Sequence, residues 1–299
     1  MLGKAVGGAF LVVVLIGTAC GTGTAGTPGL INVVAGENFW GSVAAQLGGP
    51  KVSVHSVVTD PNADPHEYES STVDARAFAE ADLVILNGAG YDDWGQKLLD
   101  ANASSHRTVL DIAQLLGRRP GDNPHFWYHP GYVMTVADKI TADYKAIDPG
   151  DAALFDQQRS AFTAAMRPYT ERVAEIKSKY AGTPIGSTES IFVYMAGALG
   201  LNLISPPDFM SAVAEGTDPP AAAVATFHDQ VAGKKIKLLV YNLQASSALT
   251  TSLKQLAQQQ GIPLVAVTET LQPLGASFQD WQTAQLTALE AALASAPQA

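Results

Sequence analysis

Short β-rich runs alternating with helical stretches predict an α/β protein: two Rossmann-like lobes with parallel sheets, joined by one long linker helix. Three observations carry that expectation. A strand–turn–helix rhythm fills residues 30–130, the same rhythm returns after Gly182, and a helical periodicity runs between them. With 299 residues, 47% of them hydrophobic, the chain has enough apolar surface for two lobes of ordinary size.

Residues 1–19 read as a signal peptide. Lys4 supplies a positive start, and AFLVVVLI at 9–16 is too short to span the ~20 helical residues of a bilayer. Gly17, Thr18 and Ala19 then lead to Cys20, the chain's one cysteine, which can form no internal disulfide and no CxxC site. This resembles a bacterial lipoprotein signal, with lipidation of Cys20 implied, although Gly17 stands where that signal usually has Leu. Residues 20–29 (CGTGTAGTPG) form a flexible tether, because Gly and Thr offer nothing to bury.

Strands are expected at 31–35, 52–58, 83–86 and 108–112 in the first lobe (30–130), each followed by turn residues and a helix. A helical linker at 131–181 follows. Within 151–180 it places Phe155, Phe162, Met166, Tyr169, Val173, Ile176 and Tyr180 at spacings of three, four or seven, as one amphipathic helix requires. Pro168 lacks the amide hydrogen the helix needs and is expected to bend the rod or split it. The second lobe (182–299) has strand candidates at 184–187, 238–241 and 264–267.

The net charge of −10, from 28 acidic and 18 basic residues, argues against a phosphate-binding surface and hence against nucleic acid as a partner. Open α/β sheets bind ligands beyond the carboxyl ends of their strands, so chemistry is sought in those loops. Asp60-Pro-Asn-Ala-Asp-Pro-His66-Glu67-Tyr-Glu69 follows the second strand, and Asn123-Pro-His125-Phe-Trp-Tyr-His129-Pro130 follows the fourth. In the second lobe stand Gly186-Ser-Thr-Glu189 and Gly275-Ala-Ser-Phe-Gln-Asp280-Trp281. Neutral imidazole together with carboxylate suits borderline cations such as Zn(II) and Mn(II). A proline before His66 and before His125 restricts the backbone that carries each ring. His129, ahead of Pro130, reads as a helix cap.

With DPHEYE at 64–69 and NPHFW at 123–127, the chain resembles the metal-binding subunits of ATP-binding-cassette importers for zinc and manganese, the family of ZnuA and the pneumococcal surface adhesin A. The resemblance covers nearly all of residues 30–292. It implies two lobes on one long helix, and metal ligation by His66 and His125 from the first lobe. Glu189, followed by Tyr194, falls where zinc receptors have His and manganese receptors Glu. The family's fourth ligand is commonly Asp at the start of the last helix. Here that place falls near Ala276, with Asp280 a turn later, while Ser277-x-x-Asp280 also reads as a capping box. Water, Glu67 or Glu37 are the alternatives. The resemblance further implies a permease and its ATPase as partners, an extracytoplasmic lipid-anchored monomer, and Zn or Mn(II) as the transported ligand.

A metal-dependent hydrolase would need an open coordination position with a general base beside it. No HExxH, GxSxG, GxGxxG or P-loop stands in a suitable context, so no enzyme activity is expected. An adhesin or host-interaction lipoprotein on the same fold is the remaining alternative.

Overall fold

A computed structural model describes Met1, Gly3, residues 29–62, Pro65 and residues 68–295. The signal peptide, Cys20 and most of the tether lie outside the described residues, and so do Asp64, His66 and Glu67 of the first motif.

The first sheet is built from β1 (Ile31–Glu37), β2 (Val52–Val58), β3 (Leu83–Leu86) and β4 (Thr108–Asp111), in the order β2-β1-β3-β4, all neighbours parallel. Every residue of β3 is buried, as a central parallel strand covered on both faces must be. The covering helices include α1 (Asn38–Gly48), α2 (Thr72–Glu80), α3 (Asp93–Ala101) and the short α4 (Ile112–Leu115). The second sheet contains β5 (Pro184–Ser187), β6 (Asn202–Leu203), β7 (Leu239–Asn242) and β8 (Leu264–Val267), in the order β6-β5-β7-β8, again parallel. β6, two residues long, is too short to leave a sequence pattern.

Between the sheets run α5 (Pro130–Ile147), α6 (Ala152–Ala165) and α7 (Arg167–Tyr180). The expected rod over 151–180 is thus two helices. Pro168 falls in the first turn of α7, where a missing amide hydrogen costs no bond, and Met166 caps that turn at φ −74°, ψ −12°. In the second lobe α8 (Val193–Ala198), α9 (Pro207–Ala214), α10 (Ala221–Ala232) and α11 (Ala248–Gln259) precede α12 (Phe278–Ser295), which returns to pack on α7 and α1.

One apolar cluster joins the halves, running from Ile31, Val33 and Ala35 of β1 through Trp40, Trp127 and Tyr144 to Val265, Trp281 and Leu293. Inside it Phe39 stacks on Trp127 with ring centroids 4.0 Å apart, and the Trp281 ring lies 6.5 Å from Phe39. Polar ties cross the same junction. Gln46 and Gln279 exchange amide hydrogen bonds of 3.1 and 2.8 Å, Ser42 Oγ accepts from the Phe278 amide, and Asn38 Oδ1 accepts from the Leu271 amide.

Candidate metal centre

The strand ends converge on a buried polar cluster. His125 follows the β4–α4 segment, on a turn whose next residues, Phe126, Trp127 and Tyr128, are all buried. Their apolar rings anchor the turn in the core and leave the imidazole beside Tyr91 and Trp127, at centroid distances of 6.2 and 5.2 Å. Glu189 lies two residues beyond β5, and the Ser187 hydroxyl donates to its carbonyl at 2.7 Å. Glu269 lies two residues beyond β8. Donor atoms of His125, Glu189 and Glu269 all stand within 4.8 Å of one another, and each residue is at most 1% exposed. Donors sharing one ion at about 2.0–2.2 Å must stand closer than about 4.4 Å to each other, so the three side chains have to draw inward to close on a cation.

The carboxylates are held in place. Asn242 Nδ2 donates to Glu189 Oε1 at 3.1 Å and to Glu269 Oε1 at 2.6 Å, and the Tyr91 hydroxyl donates to Glu269 Oε2 at 2.5 Å. Gln244 Oε1 accepts from the Glu269 amide at 2.6 Å, and the Trp281 indole donates to Thr268 Oγ1 at 2.9 Å. Beside them Glu37, fully buried at the end of β1, has its carboxyl pushed well above the usual range, by burial first and then by the carboxylates of Asp92 and Glu269. Asp92 is raised to about 6, chiefly by burial, although the Asn87 and Gly88 amides donate to it at 2.6 and 2.8 Å. So much buried acid is electrostatically costly, and positive charge brought among these carboxylates would offset that cost.

Of the residues named from sequence, His125 and Glu189 are brought together and His66 lies outside the described residues. Asp280 is exposed on α12 and pairs with Ser277 at the start of that helix: its amide donates to Ser277 Oγ at 3.2 Å, while the Ser277 hydroxyl donates to its carboxylate at 2.7 Å. It is not in the cluster. Glu37 borders the cluster, whereas Glu67 lies outside the described residues. The residue sequence reasoning missed is Glu269. The signal that marks it is position: Thr268-Glu269-Thr270 stands directly beyond the last strand. His129 caps α5, its Nδ1 accepting from the Tyr132 amide at 3.2 Å.

Two open parallel sheets whose carboxyl edges meet over a buried His-Glu-Glu cluster define a two-lobed solute receptor rather than a single-sheet nucleotide-binding fold. A model of the family described as the periplasmic zinc-uptake complex component A matches residues 33–292, and the chain belongs to that family. It is a substrate-binding protein of the metal ATP-binding-cassette importers. The manganese ABC transporter substrate-binding lipoprotein PsaA of Streptococcus mitis is 24% identical over 277 residues, 85% of each protein. The iron ABC transporter substrate-binding lipoprotein MtsA of Streptococcus pyogenes serotype M1 is 26% identical over 213 residues, 65% of this chain and 67% of that one. Among solved structures, ZnuA superposes with a TM-score of 0.68 at 23% identity, covering 88% of this chain and 98% of that one. The periplasmic zinc-binding protein TroA of Treponema pallidum gives 0.72 at 16% identity, with coverages of 89% and 99%. Likeness at these identities establishes the shared fold. Among the described residues no helix is long and apolar enough to cross a membrane.

Proposed function

We propose that the protein captures one Zn or Mn(II) ion with His66 and His125 from the first lobe and Glu189 and Glu269 from the second, and hands it to a membrane permease driven by its ATPase. The observation that carries this reading is the convergence of His125, Glu189 and Glu269, buried and from both lobes, around a common point. His66 is included on the resemblance of its DPHEYE motif alone. In place of Asp280, Glu269 takes the fourth position, because Asp280 spends its carboxylate on the α12 cap.

Nothing in this arrangement calls for catalysis. Four protein donors close a tetrahedral shell, and a closed shell holds an ion instead of activating water. We further propose that residues 1–19 are removed, that Cys20 is lipidated, and that the tether holds a monomeric body outside the cell membrane. Two imidazoles and two carboxylates make a harder site than three imidazoles and lean towards Mn(II), yet the Irving–Williams order gives Zn(II) the tighter binding in vitro.

Elemental analysis of native protein beside Glu189→Ala and His66→Ala tests the reading. One ion per chain in the native protein, lost in both variants, is expected; a metal-replete double variant would overturn the site.

A further inference from the structure

Asn123 touches both lobes at the point where each presents a proposed ligand. Its Oδ1 lies 2.7 Å from His125 Nδ1 and also accepts from the His125 amide at 3.1 Å. Its Nδ2 donates to the Ser190 carbonyl at 2.7 Å, on the residue directly after Glu189. The Tyr194 hydroxyl, from the same segment, donates to the Asn123 carbonyl at 2.8 Å. A side-chain amide has one accepting end and one donating end. The Ser190 carbonyl can only accept, so it fixes Nδ2 on its side and turns Oδ1 to the imidazole. Oδ1 in turn can only accept, so Nδ1 carries the ring hydrogen and the lone pair sits on the buried Nε2.

We propose that Asn123 is a positioning residue that commits His125 to metal binding through Nε2 and, through Ser190, sets the separation of His125 from Glu189, so that it governs how long the ion is held. The proposal rests on the metal-receptor reading of the site. A plain turn residue would need only the contact to the His125 amide. The bond to Ser190 and the bond to the ring serve the two halves of the site, and a partner that orients a metal-bound histidine is worth about 10–100-fold in affinity.

The test uses zinc alone as the probe, with the full chain and its Asn123→Asp and Asn123→Ala variants. Zinc release into a competing chelator is timed, and histidine ring nitrogen shifts are recorded in the metal-free protein. Asn123→Asp keeps an acceptor for Nδ1 but sets a carboxylate against the Ser190 carbonyl. It is expected to release zinc about 10–100-fold faster with the His125 tautomer unchanged. Asn123→Ala is expected to release at least as fast, with the imidazole divided between its two tautomers. Release at the native rate from Asn123→Asp overturns the proposal, and so does a single Nδ1–H tautomer in Asn123→Ala. Should the alanine variant fail to fold, the aspartate variant decides the matter alone. Native protein that binds no zinc would instead sink the receptor reading, while the ring nitrogen shifts still report on Asn123.

Discussion

Glu269 makes the clearest case for reading side chains one at a time. It is fully buried, takes a hydrogen bond from Tyr91 and shares the Asn242 amide with Glu189. Glu269→Ala is therefore expected to weaken zinc binding by more than the about 10–100-fold typical of outer-shell changes, and Asp280→Ala to leave it unchanged. Calorimetric titration of both variants distinguishes the two assignments. The same titration run from pH 7 to 5 should show affinity falling as pH drops below the imidazole value of ~6.5, because the ring binds metal only when neutral. Asp92 acts in the opposite sense on the metal-free protein. Its pKa is 3.8 in a model peptide and about 6 when folded. Between those values the folded state holds a proton that the unfolded state has lost, so stability is present at low pH and disappears as pH rises through 6. The span of about two pH units corresponds to a loss on the order of 3 kcal/mol. Denaturant unfolding at pH 4 and pH 7 should show that part of the pH dependence missing in Asp92→Asn. His125 and Glu189 were legible because motif and strand end coincided. Glu269 was not, since a single Glu between two threonines carries no motif, and only its place beyond β8 marks it.

Elements were easier to read than residues. The strands β2, β3, β5 and β8 fall at the bounds expected from sequence, and for β3 the reason is burial on both faces, which demands an apolar run. The break between α6 and α7 followed from the covalent chemistry of Pro168, though sequence alone left open whether the rod would bend or part. How closely elements approach was not legible, because it depends on neighbours distant in space or on a turn's return path. Gly48, the last residue of α1, is such a case. A Cβ there would stand 2.8 Å from Val52 Cβ and nearer still to both of its methyls. Gly48→Ala should destabilise the fold by about 1–3 kcal/mol through overpacking, read as a lowered denaturant midpoint. Zinc affinity of the folded fraction should not change, since the site lies at the other end of that helix.

On the scale of the whole molecule, a cation shared between lobes must act as a clamp. Zinc at about 100 times its dissociation constant is expected to add about 2.7 kcal/mol to the unfolding free energy, raising the melting temperature by several degrees. Glu189→Ala should abolish the rise, and a chelator should reverse it in the native protein. Sequence showed that there would be two sheets and a linker. It did not show that one apolar cluster would run through both, because that requires the return of α12 onto α7 and α1, which no local pattern encodes.

That shared interior has a consequence for anyone who would dissect the protein. Cut after Ile147, the front half would be left with Tyr128 stripped of Phe192 and Trp281, and the back half with Trp281 stripped of Tyr128 and Phe39, each a raw apolar face. Neither fragment is a module that could be grafted, swapped or expressed alone, and heating the intact chain should give one calorimetric peak where its outline promises two.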